Sequence, residues 1–190
     1  MKKLITLFLT ATISISAIAQ TTWKMDKMHS KLTFSAVHLG ISNIDGRFDD
    51  FDVEIKSKQD GFGDAVFTLT TQVKSINTDV EPRDNHLRSA DFFDVEKYPV
   101  MTYKSTSIKP AGDEMYILTG DLTMHGVTKT VSMKLWSRGQ IQDPETGVIT
   151  AGFQLTGELS RSDFKIGGKF PNAVIGDKIQ IKADGEFKNK

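Results

Sequence analysis

Residues 65–74 read Ala-Val-Phe-Thr-Leu-Thr-Thr-Gln-Val-Lys, and this stretch decides the fold. From Ala65 through Phe67 and Leu69 to Val73, alternate side chains are mostly apolar, whereas the residues between them are mostly polar. Successive side chains of a β-strand point to opposite faces, so this repeat of two predicts a strand with one apolar face and one solvated face.

The same alternation returns along almost the whole chain. It covers residues 31–38, 101–103, 116–124, 131–135, 149–159 and 179–187. Gly, Pro or Asp residues that suit tight reversals separate these runs, at residues 109–113, 125–126, 143–147 and 176–177. The sequence therefore predicts an all-β fold of about eight antiparallel strands.

One stretch, residues 79–98, breaks the alternation. Pro82 suits the first turn of a helix, Asp84 favours the positive end of the helix dipole, and Leu87 and Ala90 follow at helical spacing. A short helix between two strands fits this stretch, and it could cover one end of a barrel.

A continuous apolar face must be buried, either in a sandwich or by closing the sheet into an extended barrel. A barrel of about eight strands is filled by side chains or holds one ligand. Small residues on the apolar faces would leave room for a ligand, namely Ala36, Ala65, Ala151, Ala183, Gly120, Gly157 and Gly185. The alternative is that large facing residues fill these gaps, and the pattern leaves both open. A cavity lined by Phe, Leu, Ile and Met would favour an aliphatic guest.

The N-terminus has the pattern of a secretory signal peptide. Lys2 and Lys3 precede a short apolar run, and Ala17-Ile18-Ala19 forms a cleavage site. The run is shorter than the roughly 20 apolar residues needed to cross a bilayer, and nothing like it recurs downstream. Residues 1–19 are therefore predicted to be removed, leaving one domain of residues 20–190, periplasmic or secreted, without an integral membrane segment.

The composition excludes several classes of function. The chain has 24 Lys and Arg residues against 24 Asp and Glu residues, and no cysteine. Such a neutral chain has no general electrostatic reason to bind nucleic acid. Without cysteine it has neither disulfides, nor thiolate metal sites, nor a Cys nucleophile.

The placement of the histidines does not favour a metal site, and the sequence lacks the common catalytic motifs. His29 and His38 are nine residues apart, which places them on opposite faces of one regular strand. His38 falls on the apolar face, as a hydrogen-bonded core residue or a ligand contact. The Gly-x-Ser-x-Gly and His-Glu-x-x-His motifs are absent from the sequence. We therefore expect no catalytic residues, no metal and no cofactor.

The segment from Arg83 to Arg88 carries a concentration of charge directly before Phe92 and Phe93. One interpretation is that Arg83 or Arg88 pairs with Asp84 or Asp91 and holds the helix to the barrel. The other is that Arg83, His86 or Arg88 binds the head group of a ligand whose tail contacts the two phenylalanines. Arg161 and Asp163 before Phe164 predict a second pair of the structural kind.

Along almost all of residues 20–190 the chain resembles the YceI-like proteins. The motifs that carry the resemblance occur in the expected order: Trp23-Lys24-Met25-Asp26 with His29-Ser30-Lys31-Leu32-Thr33-Phe34, then Gly46-Arg47-Phe48, then Ser75-Ile76-Asn77-Thr78 with Arg83-Asp84-Asn85-His86-Leu87-Arg88-Ser89-Ala90-Asp91-Phe92-Phe93-Asp94, then Gly120-Asp121-Leu122-Thr123-Met124-His125-Gly126, and Arg161-Ser162-Asp163-Phe164. Tyr103 stands where Phe is usual in the family, so its hydroxyl needs a hydrogen-bond partner if it points inward.

The resemblance implies an extended lipocalin-like barrel that holds a long-chain isoprenoid or another amphiphilic lipid, with no catalytic residues. The residues we expect to line the cavity are Phe34, Ala36, His38, Phe67, Leu69, Phe92, Phe93, Met101, Tyr103, Phe153, Leu155 and Phe164. An envelope protein-interaction module with a packed barrel and a lipid-modifying enzyme are the alternatives. The sequence leaves open which lipid is bound and whether the protein is a homodimer.

Overall fold

Eleven strands form one antiparallel sheet in the computed structural model, which describes residues 20–58 and 61–189. The strands are β1 (Thr21–Met25), β2 (Lys31–His38), β3 (Ser42–Phe48), β4 (Phe51–Ser57), β5 (Val66–Gln72), β6 (Ile76–Asn77), β7 (Val100–Pro110), β8 (Met115–Met124), β9 (Val127–Gln142), β10 (Ile149–Ser160) and β11 (Ile175–Asn189). The predicted signal peptide, residues 1–19, lies outside the described residues.

Eight of these strands close into a barrel. Their order is β1-β4-β5-β7-β8-β9-β10-β11, and β11 returns to β1. Three residue pairs make the closing contact, with Trp23 opposite Asn189 and Met25 opposite Phe187 at its ends. The structure confirms the predicted antiparallel barrel of about eight strands.

The remaining three strands lengthen the barrel on one side. The outer edge of β11 is shared, since its last residues pair with β1 whereas residues 175–184 pair with β2. From β2 the sheet continues to β3 and then to the short β6. A 3-10 helix, Lys27–His29, separates β1 from β2, and another, Val73–Ser75, separates β5 from β6.

Within the described residues there is one α-helix, α1 (Glu81–Arg88), which follows β6, as predicted for residues 79–98. Pro82 lies in its first turn, where its missing N–H costs no hydrogen bond. The buried Asp84 carboxylate accepts hydrogen bonds from the backbone N–H and the hydroxyl of Thr78. Residues 89–99 follow α1 and lead into β7. No helix in the described parts of the chain is long and apolar enough to cross a membrane.

Neighbouring side chains occupy the space over several of the small residues. A Cβ on Gly46 would lie 2.3 Å from the Phe34 ring, and one on Gly157 would lie 2.8 Å from Met133. At Gly120 a Cβ would lie 2.4 Å from a backbone oxygen and 2.7 Å from the Tyr103 ring. Of the small residues named from the sequence, Gly120 and Gly157 therefore face space that is already filled, as the alternative interpretation expects.

Candidate functional site

The barrel encloses a cavity of about 220 Å³. Ten of the eleven strands contribute to its wall, all except β6, together with Leu87 of α1 and the residues that follow the helix. Because the wall residues come from so many strands, the cavity extends through the barrel interior, and it is called the channel below.

The wall is almost wholly apolar. Ten of the twelve residues predicted for it contribute to it, namely Phe34, Ala36, Phe67, Leu69, Phe92, Phe93, Met101, Tyr103, Phe153 and Leu155. Of the small residues, Ala36, Ala183 and Gly185 also lie on the wall, whereas Ala65 and Ala151 are buried elsewhere in the core.

The other two predicted residues lie elsewhere. His38 is exposed at the end of β2, opposite Ser42 of β3 and Ile175 of β11. Alternation identifies the face of a strand but not the point where the barrel ends, and β2 runs past that point, so the prediction of a buried His38 was wrong. Phe164 is the last residue of the 3-10 helix Arg161–Phe164, and its side chain is fully buried but does not line the cavity. Its carbonyl oxygen lies 3.0 Å from His125 Nδ1.

Several wall residues were not singled out from the sequence. They include Phe48, Leu118, Leu122, Met133, Leu135, Ile181, Phe187 and the buried Arg161. For most of the apolar ones the signal was present, because they occupy the same alternating positions as the residues that were named. Arg161 gave no such signal, since a charged side chain is rarely buried.

Aromatic clusters lie at both ends of the channel. At the end where β11 meets β1, Phe153 packs against Phe62 at 4.8 Å, Phe67 at 5.4 Å and Phe187 at 5.8 Å between ring centres. Towards α1, Phe48 packs against Phe34 at 5.7 Å and Phe93 at 6.1 Å. Aromatic rings therefore pack together at two places around the channel.

Arg161 organises the chain between β10 and β11. Its guanidinium donates to five backbone carbonyls, those of Ile166, Gly167, Phe170, Ile175 and Gly176, and to Asn172 Oδ1. The predicted pairing with Asp163 was wrong, because Asp163 is exposed on the far side of a tight turn while the carbonyls converge on the arginine. Ile166 and Ile175 of this loop contribute to the cavity wall.

Arg83, His86 and Arg88 do not contribute to the cavity wall. Arg83 donates to the hydroxyl and carbonyl of Thr78, and Arg88 donates to the carbonyls of Lys74 and Ile76. Neither arginine pairs with Asp84 or Asp91, so the predicted ion pairs were wrong. β6 pairs with β3 along one edge, and no described strand pairs with its other edge. The Ile76 carbonyl of β6 accepts a hydrogen bond from the Arg88 guanidinium instead. A head-group contact by these residues stays a prediction.

His86 and Asp91 form a separate exposed group beside α1. The ring of His86 is 3.4 Å from Asp91, and Lys169 also contacts this carboxylate. The hydrogen bonds from Lys169 and from His86 hold the pKa of Asp91 below its ordinary value. The contact joins the helix to the loop that Arg161 organises.

Asp26, His29 and Glu186 bring their ligand atoms within 4.8 Å of one another. His29 and Glu186 are exposed, and the Lys188 ammonium already lies 2.8 Å from the Asp26 carboxylate. Since an exposed ion-paired acidic group is common in proteins, we assign no metal to it.

The comparisons with known proteins point to one family. The family model for the YceI-like domain matches residues 23–187. Protein YceI of Escherichia coli O157:H7 is 41% identical over 146 residues, which cover 76% of this chain and 75% of that protein. A UPF0312 protein of Pseudomonas putida is 38% identical over 161 residues, covering 84% of this chain and 83% of that protein.

Solved structures show the same fold. The Campylobacter jejuni YCEI protein superposes with a TM-score of 0.74 at 32% identity, covering 81% of this chain and 90% of that chain. Burkholderia cenocepacia BcnA superposes with a TM-score of 0.76 at 25% identity, covering 85% and 98%. A domain from Saccharophagus degradans, described as a polyisoprenoid binding domain, superposes with a TM-score of 0.67 at 18% identity, covering 88% and 98%.

Proposed function

Because this chain belongs to the family of YceI-like domains, we propose that it binds one long-chain amphiphilic lipid inside the barrel and does not transform it. The lipid is of the polyisoprenoid, isoprenoid quinone or fatty-acid type. The protein carries or stores this lipid outside the cytoplasm, after cleavage of the signal peptide behind Ala19.

The observation that carries the proposal is the apolar channel. Its wall consists of Phe, Leu, Ile, Met and Val side chains with few polar groups, a lining that suits an aliphatic chain better than a sugar or a nucleotide. Burial of about 20 carbons at ~0.8 kcal/mol each contributes some 16 kcal/mol before the costs of association are subtracted. Those costs amount to ~4 to 15 kcal/mol, so a lipid can bind without a covalent or metal bond.

The polyisoprenoid binding domain from Saccharophagus degradans has the same architecture. At 18% identity this likeness bears on the fold and not on the ligand. The chemistry of the cavity wall therefore supports the lipid, and the neighbour supports the barrel in which the lipid would lie.

Native mass spectrometry of protein purified from its own source tests the proposal. We expect a mass excess equal to one lipid per chain, which organic extraction should remove and identify. The same spectrum gives the mass of the protein itself, so it also reports whether the chain begins at Gln20 and whether it is a homodimer.

Protein that carries no extractable lipid, and that takes up none when mixed with isoprenoid lipids, would contradict the proposal and favour an interaction module. Release of a chemically altered lipid by the pure protein would instead indicate an enzyme. A chain that still begins at Met1 in the exported material would refute the assigned cleavage site.

A further inference from the structure

The barrel wall has a gap where β1 and β4 give way to β2 and β3. β1 pairs with β4 as far as Lys24, and β2 pairs with β3 only from Leu32 onwards. Between these two ladders, residues 25–31 on one side and residues 49–53 on the other have no strand pairing with each other in the part of the chain that the structure describes. No backbone hydrogen bonds close the wall at this point.

A recess of about 120 Å³ lies at this gap, since all nine of its lining residues fall within residues 25–32 and 47–51. Five of the nine also lie on the channel wall, namely Met25, Ser30, Leu32, Phe48 and Phe51. Met25 and Phe51 are partly exposed. Because the same residues line both spaces, the recess adjoins the channel.

The rest of the recess is charged and mainly positive. Its four remaining lining residues are Lys27, Lys31, Arg47 and Asp49. Arg47 pairs with Asp49 at 2.8 Å and with Asp79 at 2.9 Å, so the one carboxylate of the recess already has a cationic partner.

Lys27 and Lys31 are exposed, and neither makes a hydrogen bond or an ion pair with the described residues. The nearby Asp26 carboxylate does not neutralise them, because it pairs with Lys188 at 2.8 Å and with His29 at 3.1 Å. Two ammonium groups are therefore free beside an opening that leads to an apolar channel.

The charged groups on the channel wall itself are already occupied. Asp184 accepts from Gln154 at 2.7 Å and pairs with Lys182 at 3.0 Å. Arg161 has five N–H groups, and the structure gives them six acceptors between 2.7 and 3.3 Å. An anion at Arg161 would have to displace the carbonyls that hold the loop between β10 and β11, whereas an anion in the recess would displace nothing from Lys27 or Lys31.

We propose that the recess binds the anionic head group of the lipid, a carboxylate or a phosphate, through Lys27 and Lys31. The tail passes between the shared apolar side chains into the channel. The protein then prefers an anionic long-chain lipid to the neutral lipid with the same tail. This inference rests on the proposed lipid binding and adds the charge of the head group and the place where it lies.

The test uses delipidated protein and two probes with the same tail, geranylgeranyl phosphate and geranylgeraniol. We expect the double variant Lys27→Gln/Lys31→Gln to weaken phosphate binding by roughly 3- to 20-fold, the effect of two exposed ion pairs. Its affinity for the alcohol should not change. Hexadecanoate and hexadecanol give the same comparison for a carboxylate, and the anion whose preference over its alcohol falls more identifies the head group.

Lys129→Gln/Lys134→Gln is the matched control, because these two lysines of β9 are also exposed and unpaired among the described residues but lie outside the recess. It removes the same charge and should keep the preference of the wild-type protein for the phosphate. Lys27→Arg/Lys31→Arg keeps the charge and should keep most of that preference.

Lysine acylation followed by mass spectrometry gives a readout that needs no variant. Geranylgeranyl phosphate should slow acylation of Lys27 and Lys31 several-fold and leave Lys129 and Lys134 unprotected. An unchanged phosphate-to-alcohol preference in Lys27→Gln/Lys31→Gln, an equal loss in the control pair, or unprotected Lys27 and Lys31 would overturn the head-group site while lipid binding stands. Failure of all four probes to bind the wild-type protein would instead overturn the proposed function.

Discussion

Arg161 is a buried guanidinium whose described hydrogen bonds are to neutral acceptors rather than to a carboxylate. Removing it would leave several buried carbonyls unpaired, and each such group costs ~1 to 3 kcal/mol. We expect Arg161→Met to lower the free energy of unfolding by about 3 to 5 kcal/mol, measured by urea denaturation of lipid-free protein.

Arg47→Met is the matched control, because Arg47 is exposed and pairs with Asp49 and Asp79 on the surface. Such pairs contribute about 1 kcal/mol or less. Similar losses in the two variants would contradict the special role of Arg161.

Single residues mark the limit of what the sequence could predict. Alternation placed Phe34, Phe67 and Phe153 on the inner face, because that inference needs only the repeat of two. The same rule failed at His38, where the barrel ends before the strand does. The partners of Arg161 were not predictable, since backbone carbonyls from a loop leave no signature in side-chain type.

At the scale of the element, arginine side chains of α1 hydrogen-bond the backbone of β6 and of the residue that follows it. Arg83 and Arg88 donate to the carbonyls of Thr78 and Ile76 at 2.8 Å and 2.7 Å, where no further strand pairs with β6. The sequence predicted the helix correctly from Pro82 and the apolar spacing. It did not predict the edge to which the helix is attached, because β6 has only two residues and no alternation to detect.

We expect Arg83→Ala and Arg88→Ala to lower the free energy of unfolding of lipid-free protein by ~1 to 3 kcal/mol each, since each loses two or more hydrogen bonds. The comparison requires delipidated protein, because a bound lipid raises the apparent stability. Lys74→Ala is the control, and it should change stability by less than ~0.5 kcal/mol because this side chain is exposed and makes no hydrogen bond or ion pair with the described residues.

The competing head-group role predicts the opposite pattern. An arginine variant that melts normally without lipid, but loses its preference for a lipid with a charged head group over a tail alone, would support a head-group contact. Loss of stability with an unchanged preference would restrict both arginines to a structural role.

At the scale of the whole molecule, the barrel depends on pairings between distant parts of the chain. β11 closes the ring by sharing one edge between β1 and β2, which are about 150 residues away in sequence. Periodicity predicts strands but does not say which strands become neighbours, so the pattern alone left sandwich and barrel open. It also gave no volume, because the space over Gly46, Gly120 and Gly157 is filled while that beside Ala36 and Ala183 is not.

Ala36 provides the test of the channel as a whole. It lies on the wall, opposite Ile179 of β11 and Ile44 of β3, so a Trp side chain there would project into the space that a lipid needs. Overpacking costs ~1 to 3 kcal/mol, and the lipid-free variant should therefore still fold. A lipid supplied at about 100 times its Kd stabilises the wild-type protein by about 2.7 kcal/mol, which raises Tm by roughly 5 to 10 °C in a domain of this size. We expect Ala36→Trp to lose most of this increase, whereas Ala111→Trp, in an exposed turn, should keep it. A full lipid-induced increase in the Tm of folded Ala36→Trp protein would show that the lipid binds elsewhere.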